Sequence, residues 1–320
     1  MRELRYASRH AWVAAKEMLG LSARMDQTFY VDRFSRLLKA GSVGNTCKIT
    51  ALGKSDGVGS QAQAAMSAIC FANAHGLEYV HRPFTVVAHP ETAMEEWVHT
   101  CEEYFNIGHG ARRIAECKLP LVSIDQVPKD SNSESGFIVT AQHYLHYCDQ
   151  DGKAWERSRP LLRARFRRNK GPLAHGRFTV AVHVRRGDVT ARNFTPAGSF
   201  LTTLRGIKET LATSVPDARI CLYSQGPPQM FEDFLRLGCE LRLDEPALAT
   251  HRQLVDADVL VSSKGAFSYT AAVLNEGITM YDIEKHRPLR DWIVRTPEGH
   301  FDKAHFASCI EDLLTKRKSV

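Results

Sequence analysis

The sequence predicts an α/β fold of two domains, each built on a parallel sheet, and three observations predict it. Between Phe178 and Tyr281 five short β-prone runs alternate with helical segments, the order that yields a doubly wound parallel sheet. The first of these runs, Phe178-Thr-Val-Ala-Val-His-Val184, lacks polar alternation, as a strand buried on both faces does. Earlier in the chain, Ile49 to Phe84 reads as strand, glycine loop, helix and strand, one βαβ unit. At 320 residues, 43% hydrophobic and 24% charged, there is ample material for two globular cores.

The elements follow in order. Ile49 to Leu52 is a short strand, and Gly53 to Gly59 a loop with three glycines. Gln61 to His75 carries Ala65, Ile69 and Ala72 at helical spacing, with Gly76 as its stop. Leu77 to Val80 begins the next strand. Pro120 to Pro128 and the Ser/Asn/Asp-rich Lys129 to Gly136 read as loops. Ala154 to Arg168 is helical, and Lys170-Gly171-Pro172 breaks the chain, giving domains 1–170 and 171–320. Helix Gly198–Ala212, strand Ala218–Ser224, helix Pro228–Leu237 and strand Cys239–Leu243 come next. Helix Thr250–Ala257, strand Val259–Ser262, helix Phe267–Asn275 and strand Thr279–Tyr281 complete the alternation. Such sheets bind ligands beyond the carboxyl ends of their strands, so the informative residues lie just after each strand.

Composition removes several classes. No apolar run approaches the roughly 20 residues of a membrane span, and the first ten residues lack a signal peptide's apolar stretch. The chain is therefore expected to be soluble and cytoplasmic. Eight cysteines are scattered without a Cys-x-x-Cys pair, which argues against a zinc cluster and for reduced core thiols; the even number leaves disulfides open. No Gly-x-x-x-x-Gly-Lys-Ser/Thr occurs, which argues against a P-loop NTPase. The formal charge of +6 has one local source in Lys153, Arg157, Arg159, Arg163, Arg165, Arg167, Arg168 and Lys170. That run reads either as a solvated helical face or as an electrostatic surface for an anion, such as a nucleotide or the lipid phosphates of a membrane contacted peripherally. Only Trp155 and Phe166 interleave it, too few aromatics for a nucleic-acid surface. The isolated histidines His75, His81, His89, His143 and His146 have no metal-ligand spacing and read as loop or surface residues.

The strand ends collect a coherent set. The Phe178 strand donates His183, Arg185, Arg186 and Asp188. The next gives Tyr223, Ser224 and Gln225, the third Asp244 and Glu245, the fourth Ser262, Ser263, Lys264 and Gly265 before a helix opens. Adjacent arginines and an acid behind a buried strand are costly unless paired or solvated. One reading is an arginine pinned by Asp188 to hold a turn. The other is a diphosphate clamp, because guanidinium forks match phosphate oxygens two at a time and a helix N-terminus offers N–H groups to the same anion. The loop Asp56-Gly57-Val58-Gly59-Ser60-Gln61 is a second constellation whose bland reading is a tight strand-to-helix turn.

His183-Val-Arg-Arg-Gly-Asp188 resembles the His-x-Arg-Arg-x-Asp motif of the α1,2- and α1,6-fucosyltransferases. Val58-Gly-Ser-Gln61 is similar to their early Leu-Gly-Asn-Gln loop, and Ala257 to Ala272 to their late segment with Asp, Ser, Phe, Ser and Ala at these spacings. The resemblance runs from about Gly57 to Ala272, with nothing matched between Thr85 and Lys170. It implies a GT-B-like fold of two Rossmann-like domains, with the acceptor on the first and the nucleotide sugar on the second. It further implies GDP-fucose as donor, inversion at the sugar carbon, no metal and no further cofactor. Carried over residue by residue, it puts His183 near the guanosine, Arg185 on the β-phosphate with Arg186 beside it, and Asp244 under the guanine. Asp188 is the motif acid that orients the arginines. Ser263, Phe267 and Ser268 would line the donor pocket, and Gly57, Gly59 and Gln61 join the donor-binding set. The departures are Ser60 for the family's Asn, Gly265-Ala266 for its Ser-Ser, Gln225 for the acid after the second strand, and Asn193 where the α1,6 enzymes carry a proposed base. The expected function is fucose transfer to a glycan or glycolipid. Its alternatives are a transferase using another nucleotide sugar and a catalytically idle nucleotide- or glycan-binding protein.

Overall fold

The computed structural model describes residues 27–43, 46–128, 136–171, 176–187, 194–283 and 286–318. Its first half carries α1 (Gln27–Lys39), β1 (Lys48–Ala51), α2 (Val58–His75), β2 (Glu78–Tyr79), α3 (Met94–Phe105), β3 (Leu121–Ser123), β4 (Ile138–Ala141), α4 (Leu145–Gln150) and α5 (Ala154–Arg167). The second carries β5 (Thr179–His183), α6 (Ala197–Ser214), β6 (Arg219–Ser224), α7 (Glu232–Arg236), β7 (Glu240–Leu243), α8 (Ala247–Asp256) and β8 (Val259–Val261). It ends with α9 (Ala266–Leu274), β9 (Ile278–Asp282), β10 (Ile293–Arg295) and α10 (Lys303–Lys318).

Both sheets are parallel. The first has strand order β2-β1-β4-β3 and the second β10-β9-β8-β5-β6-β7. In the second sheet the chain winds outward from β5 in one direction, then returns to start again at β8. The order therefore reverses between β5 and β8, the place where a doubly wound sheet opens a crevice for a ligand. The mixed α/β architecture with two parallel sheets is the fold class the residue pattern predicts.

The two sheets do not have separate cores. One apolar cluster joins Ile49, Phe71 and Val139 of the first half to Ala181, Leu260 and Tyr269 of the second. A second cluster, with Val180, Val182, Phe200 and Phe306, fills the far face of the second sheet. The alternation of Val180, Ala181 and Val182 along β5 thus divides that strand between two cores. Helix α2 is the shared element: it packs on β1, α5 and α9 and is buried from Val58 through Ala72 with Ser60 alone only half-buried. A helix enclosed on all sides must be apolar all round, which its six alanines, Met66, Ile69, Cys70 and Phe71 supply. Gly76, at φ 64, ends it in the left-handed conformation expected from the sequence.

Three expectations need correction. Pro120–Pro128 is not all loop: Leu121–Ser123 pairs in parallel with Ile138–Thr140 as an edge strand. Its strand character comes from that distant partner rather than from its own residues. Of Lys129–Gly136, only Gly136 lies among the described residues. His81 is not a surface residue. It is buried, with Nδ1 3.0 Å from the Tyr79 hydroxyl and Nε2 3.0 Å from Glu102, because Gly108 leaves room for its ring to pack against the backbone. Five of the eight basic residues at 153–170 are held by partners within the protein rather than spread over a solvated face. Arg159 donates to both carboxylate oxygens of Asp291 at 2.8 Å, Arg163 to the Asn275 carbonyl and Arg165 to the Ile107 carbonyl at 2.8 Å. Arg167 pairs with Asp256 at 2.7 Å, and Lys170 donates to the Tyr104 carbonyl. The run is a brace between the two halves, because α5 lies where both halves present carbonyls and carboxylates. All eight cysteines are free thiols, six of them buried. Among the described residues no helix is long and apolar enough to cross a membrane.

Candidate functional site

The carboxyl ends of β1, β5, β6, β7 and β8 face a common cavity of about 810 Å³, within the range typical of ligand sites. Its lining includes Gly57, Gly59, His183, Arg185, Arg186 and Phe267 from the residues singled out in the sequence.

One end of the cavity is built by close backbone approach. A Cβ placed on Gly59 would fall 2.6 Å from Cα of Phe267. The first turns of α2 and α9 therefore touch, which a side chain at 59 would forbid. Each helix keeps free N–H groups in its first turn, and neither has a side-chain cap. Gly265, the N-cap of α9, has φ +119, and a Cβ there would stand 2.4 Å from Nη1 of Arg185. The Arg185 guanidinium thus lies directly on the α9 N-terminus. Lys264 also lines the cavity, its ammonium 3.8 Å from Asp282. Asp282 is in turn held by Thr195 at 2.5 Å and by the buried Arg295 at 3.8 Å. Two positive helix ends, Arg185 and Lys264 therefore converge. Like potentials repel, so this arrangement favours an anion.

The two motif arginines have different surroundings. Arg186 donates to the carbonyls of Arg185 at 2.8 Å and Thr195 at 3.3 Å, and its guanidinium lies 4.7 Å from the Phe194 ring centre. Burial pushes its pKa below the usual arginine value. It ties the motif strand end to the start of α6, whereas Arg185 reaches across to α9. Asp188, the motif acid, lies outside the described residues.

His183 stands behind Arg185, its Nδ1 within 2.9 Å of the Ser263 hydroxyl and 3.1 Å of the Ser268 hydroxyl. Ser268 Oγ also accepts the Ser263 N–H at 3.1 Å, so its own hydrogen is available to Nδ1. This network assigns the imidazole proton to Nε2. Burial and, secondarily, Arg185 push the His183 pKa down to about 4, which keeps the ring neutral. Ser263 and Ser268 are fully buried props of His183 and do not themselves line the cavity.

Two other expected residues take structural places. Gln61 donates to the carbonyls of Asp56 at 2.7 Å and Val86 at 2.8 Å, bracing the glycine loop from behind. Asp244 has φ 52, a left-handed turn position that Asp tolerates. Its carboxylate accepts the Gly226 N–H at 3.3 Å and is absent from the cavity lining, where the neighbouring carboxylate is Glu245.

Of the wall contributed by the first half, the sequence marked the glycine loop with Asp56, gave His89 only as an isolated histidine, and missed Ala88, Glu91 and Trp97. The wall consists of Asp56, Ala88, His89, Glu91 and Trp97 around the glycine loop. Asp56 accepts the Ser60 hydroxyl at 2.6 Å and pairs with Lys54 at 2.7 Å. Glu91 crosses to the second half and accepts the Ala247 N–H at 2.5 Å, at the start of α8. His89 has φ 58 although Pro90 follows it, a conformation disfavoured both for a side-chain-bearing residue and before proline. The local signals for the rest of this wall were that His-Pro step and the helical spacing of Trp97, Cys101 and Phe105.

No family model and no curated protein sequence matches this chain. Among solved structures, the α1,6-fucosyltransferase NodZ co-crystallised with GDP aligns over 80% of this chain and 97% of its own, at 13% identity and a TM-score of 0.44. Fucosyltransferase NodZ from Bradyrhizobium aligns over 71% and 92%, at 12% identity and a TM-score of 0.40. The E. coli heptosyltransferase WaaC with ADP-2-deoxy-2-fluoro heptose aligns over 85% and 99%, at 15% identity and a TM-score of 0.39. Likenesses this distant bear on neither activity nor substrate.

Proposed function

We propose that this protein is an inverting, metal-independent glycosyltransferase that moves fucose from GDP-fucose to a hydroxyl of a glycan or glycolipid. The observation that carries the reading is the convergence of Arg185, Lys264 and the N-termini of α2 and α9 at one end of the cavity. Each helix end contributes roughly half a positive charge, so with Arg185 they present about two, and Lys264, shared with Asp282, lies beside them. That complements a departing nucleoside diphosphate, whose charge grows as the bond to the sugar breaks. Charge stabilisation that is in place before the reaction accounts for much of the rate acceleration of many enzymes. The arginine fork and helix N–H groups supply what a divalent cation supplies elsewhere.

The nucleoside would extend from the diphosphate along His183, Ser224, Gln225 and Thr250, with Glu245 as the carboxylate able to accept the two N–H groups of a guanine edge. Glu245 takes this place because Asp244 is engaged with Gly226. The acceptor would approach along the wall of the first half, so that attack and departure occur on opposite faces of the sugar carbon. The test is titration calorimetry with GDP, UDP and ADP, followed by mass analysis of products from GDP-fucose. GDP should bind at least tenfold more tightly than the others. Equal affinities would end the GDP reading, and preference for UDP or ADP would move the proposal to another nucleotide sugar.

A further inference from the structure

We infer that His89 is the general base that takes the proton from the acceptor hydroxyl, and that the wall around it is the acceptor site; this rests on the transferase reading above. His89 lines the cavity from the first half, while Arg185 and Lys264 line it from the second. It is exposed, and among the described residues its ring has no hydrogen-bond or ion-pair partner. Its φ of 58 precedes a proline, and non-glycine residues held in such a conformation cluster at functional sites. The surrounding loop is over-determined: Gln61 holds the Val86 carbonyl at 2.8 Å and Ala88 N–H donates to the Asp56 carbonyl at 3.2 Å.

The other lining groups able to accept a proton each hold a protein contact. Asp56 holds Lys54 and Ser60 through Oδ2, and its Oδ1 is buried; Glu91 holds the Ala247 N–H through Oε1, and Glu245 faces Arg242 at 3.5 Å. His183 is tied through Nδ1 to two serines. Trp97, on the same wall, is 4% exposed and its indole N–H has no hydrogen-bond partner among the described residues. The carboxylates of this wall suit a neutral sugar, whose hydroxyl hydrogens they can accept. The carboxylates Asp56 and Glu91 on this side disfavour an acceptor that is itself phosphorylated or carboxylated.

In the transfer step a lone pair on a His89 ring nitrogen takes the acceptor O–H proton as that oxygen bonds to the anomeric carbon. The bond from that carbon to the β-phosphate oxygen breaks, its electron pair leaves with GDP, and the new imidazolium later loses its proton to water. Charged groups facing the ring are Asp56 and Glu91 on its own wall and Arg185, Arg186, Lys264 and Glu245 across the cavity.

The experiment compares wild type, His89→Asn and Arg185→Lys. Asn tolerates the left-handed backbone, so a loss in His89→Asn reports the imidazole and not the loop. The readout is GDP release from saturating GDP-fucose, with methyl β-galactoside or diacetylchitobiose as acceptor, or water where neither is used. GDP affinity is measured on the same samples. His89→Asn should lose about a hundredfold or more in turnover and keep GDP affinity within twofold. Turnover within threefold of wild type in His89→Asn, or a loss of GDP affinity as large as the loss of turnover, overturns the assignment. Failure of the wild type to bind GDP or to release it from GDP-fucose overturns the transferase reading itself, and with it this one.

Discussion

Gly265→Ala asks whether Arg185 must sit where it does, without removing its charge. Gly265 has φ +119, a region essentially open to glycine alone, and forcing alanine into it costs about 1–3 kcal/mol. The added Cβ would stand 2.4 Å from Nη1 of Arg185, where ordinary contact is about 3.5–4.0 Å. The guanidinium must therefore retreat by roughly 1 Å or more, and a misplacement of that size can cost about a hundredfold in rate. Arg185→Lys keeps the charge and loses the two-pronged fork, and should cost about a hundredfold or more by the same mechanism. In both variants GDP affinity should fall far less than turnover, because the contact strengthens as the glycosidic bond breaks. Arg186→Lys should be milder, since its guanidinium serves two carbonyls and the Phe194 ring. The assay is steady-state GDP release from GDP-fucose alongside GDP calorimetry, with fold checked by circular dichroism and stability by urea unfolding. A folded Gly265→Ala protein that loses stability yet keeps near-normal turnover would refute the diphosphate clamp and leave the arginines as turn-pinning residues.

Further outcomes are expected from other parts of the site. Glu245→Gln should weaken GDP binding about tenfold or more and narrow the preference over UDP, while Asp244→Asn should leave nucleotide preference unchanged; calorimetry showing the reverse would restore Asp244 as the base-reading acid. Full turnover is expected in EDTA, and activity regained only with manganese or magnesium would contradict metal independence. His183 and His251 have folded pKa values pushed down to about 4 and about 3, chiefly by burial. Unfolded histidine titrates near 6.5, so the unfolded chain takes up protons first. Stability from these groups is fully present above about pH 6.5 and is lost as pH falls toward the folded values. His251→Gln should reduce that slope by up to about one proton, and urea unfolding at stepped pH that finds no slope between pH 6.5 and 5 would refute the argument.

The stretch from Phe178 to Tyr281 was legible because parallel strands buried on both faces leave apolar runs, and β5, β6 and β8 fall within one or two residues of the runs that announced them, whereas β10 and α10 beyond it were not announced. The motif residues His183, Arg185 and Arg186 were legible for a related reason, since polar groups directly after such a strand must stand at the sheet's ligand edge. Gly57 and Gly59 were visible as a loop, but not their purpose. Only the packing of α2 on α9 shows that Gly59 is there to admit the Phe267 backbone.

Sequence alone determined the fold class, the motif that lines the cavity after β5 and the turn glycines, because local propensity and apolar periodicity act over a few residues. Tertiary structure decided everything that depends on which distant groups meet. It turned the arginines of α5 from a basic surface into a brace, since their partners Asp256, Asn275 and Asp291 lie about a hundred residues on. It moved the carboxylate at the cavity from Asp244 to Glu245, because a left-handed backbone turns the first toward Gly226. It also brought His89, which carries no helical, strand or motif pattern of its own, and Trp97, from the buried face of α3, to the wall opposite Arg185. Chemistry set across a cleft between two sheets is written in no single stretch of chain.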